Sequence, residues 1–364
     1  MKKILMFALA GLLVVAFTVP AMAATKTVEE RLAALESGAA EWNFYGSARM
    51  STFYSQKNEA YTGTGFKDND LGWNLQGNSR IGALVKSGDI SGSFEYSSTP
   101  GLRKLYGEWD FGGGSLLVGQ TYTPIDSFYS NQVYGGDEDL LSFGGIYDGR
   151  QPMIRLKVGG FRIAAVKPGS DSLEEDSVDN KLPEFQACYV FNAGPVGLKF
   201  LGGYNQYNTK DTATDNTYAI TSWIGGAGVT FGAGPFYANA DVFYGRNLGP
   251  MGLYNRTDTD PVWDGTNYKD NNTLGWLAVA GFKVSDIIAF EAGYGHINSK
   301  VDVLGVNYTD TAQSYYVQAV ITIAKGFFIV PEVGVWDDKT ADAGPLSTDE
   351  GKDTYFGLKW QINF

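Results

Sequence analysis

Apolar and polar residues alternate one for one over most of this chain. Between 42 and 54, Phe44, Gly46, Ala48 and Met50 share one parity and Tyr45, Ser47, Arg49 and Ser51 the other. Between 73 and 86, Trp73, Leu75, Ile81, Ala83 and Val85 oppose Asn74, Gln76, Asn78, Arg80 and Lys86. Leu105, Trp109 and Phe111 oppose Tyr106, Glu108 and Asp110, and Ile154, Leu156 and Val158 oppose Arg155 and Lys157. The last ten residues, YFGLKWQINF, set Phe356, Leu358, Trp360, Ile362 and Phe364 against Lys359 and Gln361. Successive side chains of a strand point to opposite faces, so this period predicts strands of roughly ten residues, each with one apolar face.

The placement of charge decides which solvent each face meets. Nearly every charged residue in these segments lies on the polar parity; the exceptions, Lys167, Arg246 and His296, stand at segment ends. A water-soluble sandwich fills its interior with Leu and Val and lets its charges face out. Here the polar parity carries Arg, Lys, Glu, Asp, Asn and Gln, a poor filling for a packed core. The pattern is inside out, as in an all-β transmembrane barrel with an apolar belt and a wet interior. Short polar or Gly-containing turns (86–89, 111–115, 158–161, 192–196, 231–235, 284–286, 324–326) alternate with longer connections (57–69, 122–149, 168–182, 207–215, 247–271, 298–311, 337–352). Only 98–101 is short among the latter group. The count predicts about 16 antiparallel strands with short periplasmic turns and long external loops. Pro331 interrupts one strand, and a bulge there is the expected accommodation.

Composition narrows the chemistry. The formal net charge is −12, so nucleic acid, which needs a basic surface, is not an expected partner. The single cysteine, Cys188, excludes an internal disulfide and a Cys-rich metal site. The single histidine, His296, removes HExxH and multi-histidine centres, and neither G-x-S-x-G nor C-x-x-C-H occurs. No enzyme and no cofactor is expected. The Asp-rich stretch 258–272 offers hard oxygen ligands for calcium but lacks EF-hand spacing, and reads as a polar external loop. DSLEED (171–176) reads likewise as a solvated loop that could bridge through divalent ions to lipopolysaccharide.

The N-terminal stretch has its own pattern. Residues 1–23 read as a secretory signal peptide: Lys2 and Lys3, an apolar stretch from Ile4 to Phe17, and small residues at Ala21 and Ala23. Residues 24–40 form the expected periplasmic helical segment. Thr27 and Glu30 make a capping box, and Val28, Leu32 and Leu35 a heptad seam suited to a short coiled coil. The barrel is expected over 41–364.

Together these features resemble the trimeric Gram-negative outer-membrane porins of the general porin superfamily, and in layout the DcaP-like porins with an N-terminal coiled-coil segment. The resemblance is carried by LRKLYGEWDFGGGSLLVGQTYTP (102–124), YDGRQPMIRLKV (147–158) and YFGLKWQINF (355–364). It implies a homotrimer whose third loop folds into the pore, with loop carboxylates facing a ladder of basic wall residues. The matching acids are Asp126, Asp137, Glu138, Asp139 and Asp148; the matching bases are Arg49, Arg80, Lys104, Arg155 and Lys157, with Arg150 at the loop exit. Gln120 stands where the family often has Arg. Trp360, Ile362 and the terminal Phe364 are similar to the signal read by the barrel assembly machinery. The implied function is a water-filled channel for passive diffusion of small hydrophilic or charged solutes and ions. Two other readings fit the residues. One is a substrate-specific channel, for sugars or small organic acids, with Tyr45, Phe53, Tyr106, Phe243 and Tyr316 as a stacking track. The other is a non-transporting barrel, an adhesin or a sheath around a cytochrome. Inward acids (Glu95, Glu108, Asp110, Asp241, Glu291, Glu332) also occur, so net charge does not set ion selectivity.

Overall fold

A computed structural model describes residues 40–99, 101–170, 177–210, 215–343 and 346–364. The expected signal peptide, the helical segment 27–37 and the DSLEED stretch lie outside the described residues. The alternating segments form β1 (Glu41–Lys57), β2 (Asp68–Leu75 continued by Arg80–Ser87), β3 (Ile90–Ser97), β4 (Leu102–Asp110), β5 (Ser115–Tyr122) and β6 (Arg150–Val158). Then follow β7 (Phe161–Val166), β8 (Ser177–Asp179 and Glu184–Ala193), β9 (Val196–Lys210), β10 (Thr217–Ala233) and β11 (Phe236–Arg246). The last five are β12 (Asn272–Lys283), β13 (Ile288–Val303), β14 (Val306–Ala324), β15 (Phe327–Ala343) and β16 (Leu346–Thr348 and Gly351–Asn363). Each pairs antiparallel with its neighbours in chain order, and β16 pairs back onto β1 from Ser47↔Asn363 to Lys57↔Asp353, closing a barrel of 16 strands. Closure leaves no sheet edge, so every ladder N–H and C=O has a partner without water.

The two faces separate as the alternation predicts. Phe44 is 70% and Trp73 71% exposed on the outside, where an unpaired apolar surface of this extent requires lipid or another chain. Two connections differ from expectation. Residues 298–311 and 337–352 are not loops: β13 and β14 run to a two-residue turn at Leu304 and Gly305, both with positive φ, and β15 and β16 extend likewise. These extensions are covered on one face, Asp337 of β15 and Asp353 of β16 being buried, but Thr309, Asp310 and Thr311 give the stretch no apolar parity to read. Pro331 makes no bulge. It lies opposite Leu358 of β16, while the ladder with β14 steps from Gln318↔Glu332 to Ile321↔Ile329 in unchanged register. The missing N–H falls where no bond to β14 is formed.

The interior is not uniformly polar. The third external connection, 123–149, turns into the barrel, and its Ile125, Tyr129, Leu140, Phe143 and Ile146 pack on Ile224, Phe243, Leu277, Val279, Ile297 and Tyr316 of β10–β14. On these strands many inward positions are apolar because chain, rather than water, covers them. At the opposite wall the inward parity of β1–β4 carries Arg49, Arg80, Glu95, Arg103 and Lys104, while β5–β7 bury a smaller apolar cluster of Leu117, Met153, Ala164 and Val166.

The seam is secured at its short-turn end by the final residue. Gly46 N donates to the Phe364 carbonyl (2.7 Å) and Phe364 N to the Gly46 carbonyl (3.0 Å). The Phe364 ring lies over Gly46, where a Cβ would come within 2.4 Å of it. Deleting Phe364 should cost the folded barrel about 1–3 kcal/mol through the two lost bonds, read as a lower urea midpoint in detergent; an unchanged midpoint would contradict this role.

Candidate functional site

The third loop is held along its whole length, and the way it is held sorts the charged residues. At its neck Asp126 accepts N–H bonds from Thr123 (2.8 Å), Asp148 (2.7 Å) and Gly149 (3.0 Å), tying the two ends together. Burial, then the nearby Asp148 carboxylate, pushes the Asp126 carboxyl up to about 7, against the pull of those amides. Lys199 Nζ of β9 donates to the carbonyls of Ile125 (3.3 Å) and Asp126. Asp148 accepts from Gln151 (3.0 Å) and Gln186 (2.6 Å).

Further along, two wall carboxylates receive the loop's backbone. Glu291 of β13 accepts from Asn131 N (2.9 Å) and Nδ2 (2.6 Å), and Glu332 of β15 from Val133 N (2.7 Å) and Tyr134 N (2.9 Å). Gln132 Nε2 donates to Ser314 (2.9 Å) and Tyr355 (2.8 Å). The Tyr134 ring stacks on Tyr355 at 3.8 Å and 12°. Buried amides outside a sheet need such partners, and carboxylates are the strongest acceptors available. Glycines let backbone lie directly on backbone. A Cβ on Gly144 (φ +104) would meet the Trp276 carbonyl at 2.3 Å, and one on Gly295 the Phe143 carbonyl at 2.1 Å.

The loop tip crosses the lumen to the basic wall. Asp137 pairs with Arg49 of β1 and with Lys359 Nζ of β16 (2.7 Å), and accepts from Asn78 Nδ2 (2.8 Å) in the break of β2. Burial alone would raise this carboxyl; Lys359 and then Arg49 more than offset it and hold it below the ordinary carboxylate range. Glu138 turns back into the loop, accepting from Ser142 N (3.1 Å), Ser142 Oγ and the Tyr254 hydroxyl (3.3 Å). Asp139 is half-buried beside both, and burial followed by the Asp137 charge raises its carboxyl well above the usual range.

Across the space left by the loop, bases gather around Glu95 of β3: Arg103 Nε at 2.6 Å, Lys104 Nζ at 3.7 Å and Arg80 at 3.8 Å, with the Tyr45 hydroxyl donating at 2.9 Å. Arg103 and Lys104 are consecutive, yet both reach Glu95. The ladder shifts register between Glu95 and Tyr96, a bulge that turns both inward. Strict alternation hid Arg103, and nothing local marks such a bulge. Gln120 donates to the Leu102 carbonyl (3.0 Å) at this irregularity. Arg150 donates to the Tyr122 hydroxyl (2.9 Å) and lies 5.0 Å from that ring, with Lys104 over it at 5.3 Å.

The structure thus brings together Arg49, Arg80, Lys104 and Arg150, adds Arg103 and Lys359, and sets Asp137 against them. It does not bring in Asp126, Glu138 or Asp148, which are used inside the loop, nor Asp139. Arg155 lies nearer the short-turn end, 3.8 Å from Glu108, and Lys157 stands opposite Arg162 next to the β6–β7 turn. Trp360 donates to Thr52 Oγ1 (3.0 Å), and Ile362 and Phe364 are exposed on the outer face beside the seam. Of the aromatics in the expected track, Phe53, Phe243 and Tyr316 are buried. In 258–272, Asp264 is consumed by its own turn, accepting from Thr266 N and Asn267 N (2.8 Å each), and Asp270 pairs with Arg246 (2.8 Å). No group of three or more His, Cys, Asp or Glu able to hold a metal occurs among the described residues.

No protein-family model and no curated protein sequence matches this chain. Solved structures do match. The outer-membrane channel DcaP of Acinetobacter baumannii is 18% identical, with a TM-score of 0.70 over 89% of this chain and 97% of that one. Salmonella typhi OmpF is 14% identical (TM-score 0.59; 88% and 97% covered). An anion-selective porin from Comamonas acidovorans is 13% identical (TM-score 0.56; 89% and 100% covered). At these identities the likeness is one of architecture: the chain has the fold of the general outer-membrane porins, a closed barrel of 16 strands.

Proposed function

We propose that this chain is an outer-membrane porin, a water-filled channel through which small hydrophilic solutes and ions diffuse passively, with a preference for anions. The observation that carries the reading is the half-lumen beside the third loop. There Arg49, Arg80, Arg103, Lys104, Arg150 and Lys359 outnumber Glu95 and Asp137, inside a barrel whose outer face is apolar. Such a wall has no role in a packed core and is suited to attract and pass hydrated anions. Residues 1–23 serve as the export signal, 24–40 as a segment on the periplasmic side, and 41–364 as the barrel. The assembly is a homotrimer, a form in which OmpT of Vibrio cholerae, another barrel of this fold, was solved. A sugar-specific track is less well supported, since three of its five rings are spent on packing the loop.

Purified protein in planar bilayers under a salt gradient should give single-channel steps and a reversal potential of anion sign. Replacing Arg80, Arg103 and Lys104 together by Gln should move that potential toward cations. Background current alone would refute the channel; steps without the shift would refute the assignment of selectivity to this wall.

The tip of the loop gives a second expectation. Asp137→Asn leaves Arg49 and Lys359 without their carboxylate and should weaken the docked tip by about 3 kcal/mol, raising conductance and open-channel noise. The sign with pH follows from the depressed Asp137 carboxyl. Its contribution to docking is complete above the unfolded carboxylate value, about 4, and is lost as pH falls through the lower folded value. The wild-type and Asp137→Asn conductances should therefore differ by a constant factor from pH 7 to 5 and converge below about 4. Convergence already at pH 6 would assign the docking to other groups.

A further inference from the structure

A second connection enters the mouth beside the third loop. Residues 247–271 join β11 to β12, and their first part turns inward through a single 3₁₀ turn, Gly249–Met251. Leu248, Met251 and Leu253 are buried in the same apolar cluster as Leu140, Phe143 and Ile146 of the third loop. Backbone bonds join the two: Tyr254 N donates to the Tyr147 carbonyl (2.8 Å) and Arg256 N to the Ser142 carbonyl (2.9 Å). The side chain of Arg256 then fastens the pair to the wall. Its Nε and Nη2 donate to Asp338 of β15 (2.8 and 2.6 Å), and Nη2 also to the Tyr61 hydroxyl (2.8 Å) in the β1–β2 connection. Its guanidinium lies 5.5 Å from the Tyr61 ring, 5.8 Å from Phe143 and 5.4 Å from Trp336. A cavity of about 630 Å³ opens beside it toward the long-loop end.

We propose that residues 248–256 are a strap that sets how far the third loop stands from the basic wall, and that Arg256 is its latch, a positioning residue for the constriction. The proposal rests on the channel reading above. An ordinary external loop keeps apolar side chains out of the lumen and takes its hydrogen bonds from water. This one places three apolar residues inside and shares backbone bonds with the pore-narrowing loop. A bidentate guanidinium–carboxylate pair is orientation-specific, and a stacked guanidinium is more so. Glu291 and Glu332 hold the first half of the third loop, and Asp137 its tip, whereas 142–147 takes two of its backbone partners from the strap. Freed from Arg256, strap and loop segment 142–147 should lift together and widen the passage.

The test uses the full chain with Arg256→Ala, Asp338→Asn, Arg256→Lys and the exchanged pair Arg256→Asp with Asp338→Arg. Folded mobility on unboiled gels serves as the control for barrel formation. Arg256→Ala removes a positive charge from the mouth and Asp338→Asn a negative one, so a purely electrostatic effect would move anion conductance in opposite directions. The latch predicts the same direction for both: higher conductance, and faster swelling of protein-loaded liposomes with large neutral sugars relative to small ones. Arg256→Lys should recover part of the loss, because an ammonium neither forks nor stacks, and the exchanged pair should lie nearer the wild type than Arg256→Ala or Asp338→Asn. Hydrogen exchange reads the strap independently of any current. In Arg256→Ala, amides of 142–147 and 248–256 should exchange about tenfold faster while those of the ladder stay unchanged. Unchanged exchange in those two segments overturns the strap whether or not the channel conducts. Accelerated exchange in Arg256→Ala, with a wild-type protein that passes no current, would keep the strap and discard the channel reading. Opposite conductance shifts in the two single variants overturn the latch.

Discussion

A backbone lying in hydrocarbon has no water to bond, so each of its N–H and C=O groups must find another strand, and the sheet they make must return on itself. β1–β16 meet that requirement, with β16 paired to β1 along the seam and Phe364 bonded to Gly46 at its end. Everything else follows from the geometry that closure imposes. A closed sheet has one face toward lipid and one toward its own axis, and strand side chains alternate between them. The one-for-one pattern of the chain is the covalent record of that partition.

Closure with this many strands creates an interior too wide for wall side chains to fill. The space must hold water or more chain, and here it holds both. The third loop and the strap occupy the side of β8–β15, where apolar residues such as Ile224, Phe243 and Leu277 join the inward parity, and leave the bases of β1–β4 on the other side. A loop inside a barrel brings amides that no ladder satisfies. Glu291, Glu332 and Asp126 accept them, and the phenols of Tyr237 and Tyr316 donate in turn to Glu291. This explains how an acidic chain can carry a wall rich in bases. Many inward acids are used as acceptors for the protein's own backbone, while the arginines and lysines of the opposite wall remain toward the lumen. Net charge and local charge have different causes, and only the second bears on a solute in the passage.

The barrel was legible from residues such as Phe44, Trp73 and Phe356, because lipid enforces the apolar parity at each of them separately. Legibility failed where that enforcement stops. In the outer parts of β13–β16 polar residues such as Thr309, Asp310 and Thr311 interrupt the apolar parity, and these hairpins read as loops. Inside, Leu277, Val279 and Ile297 sit on the inward parity because the loop covers them, and no neighbour in the chain announces the cover. Arg103 points inward through a one-residue bulge that alternation cannot anticipate. The candidate acids were found as a group, but which would face bases depended on where the loop turns back. Asp137 reached Arg49 and Lys359; Glu138, the next residue, turned toward Ser142.

By itself the sequence determined the class of solvent on each face, the strand period, the approximate strand number and the existence of a long third connection. These depend on interactions that each residue makes with lipid, water or its immediate neighbours. The tertiary structure decided the rest: which half of the lumen is filled, which carboxylates accept backbone amides, which bases gather on one wall and how Arg256 fastens a second loop over the first. Those outcomes pair residues far apart in the chain, such as Asn131 with Glu291, Asp137 with Lys359 and Arg256 with Asp338. A long loop meets such partners only when closure of the barrel brings the opposite wall within hydrogen-bond reach.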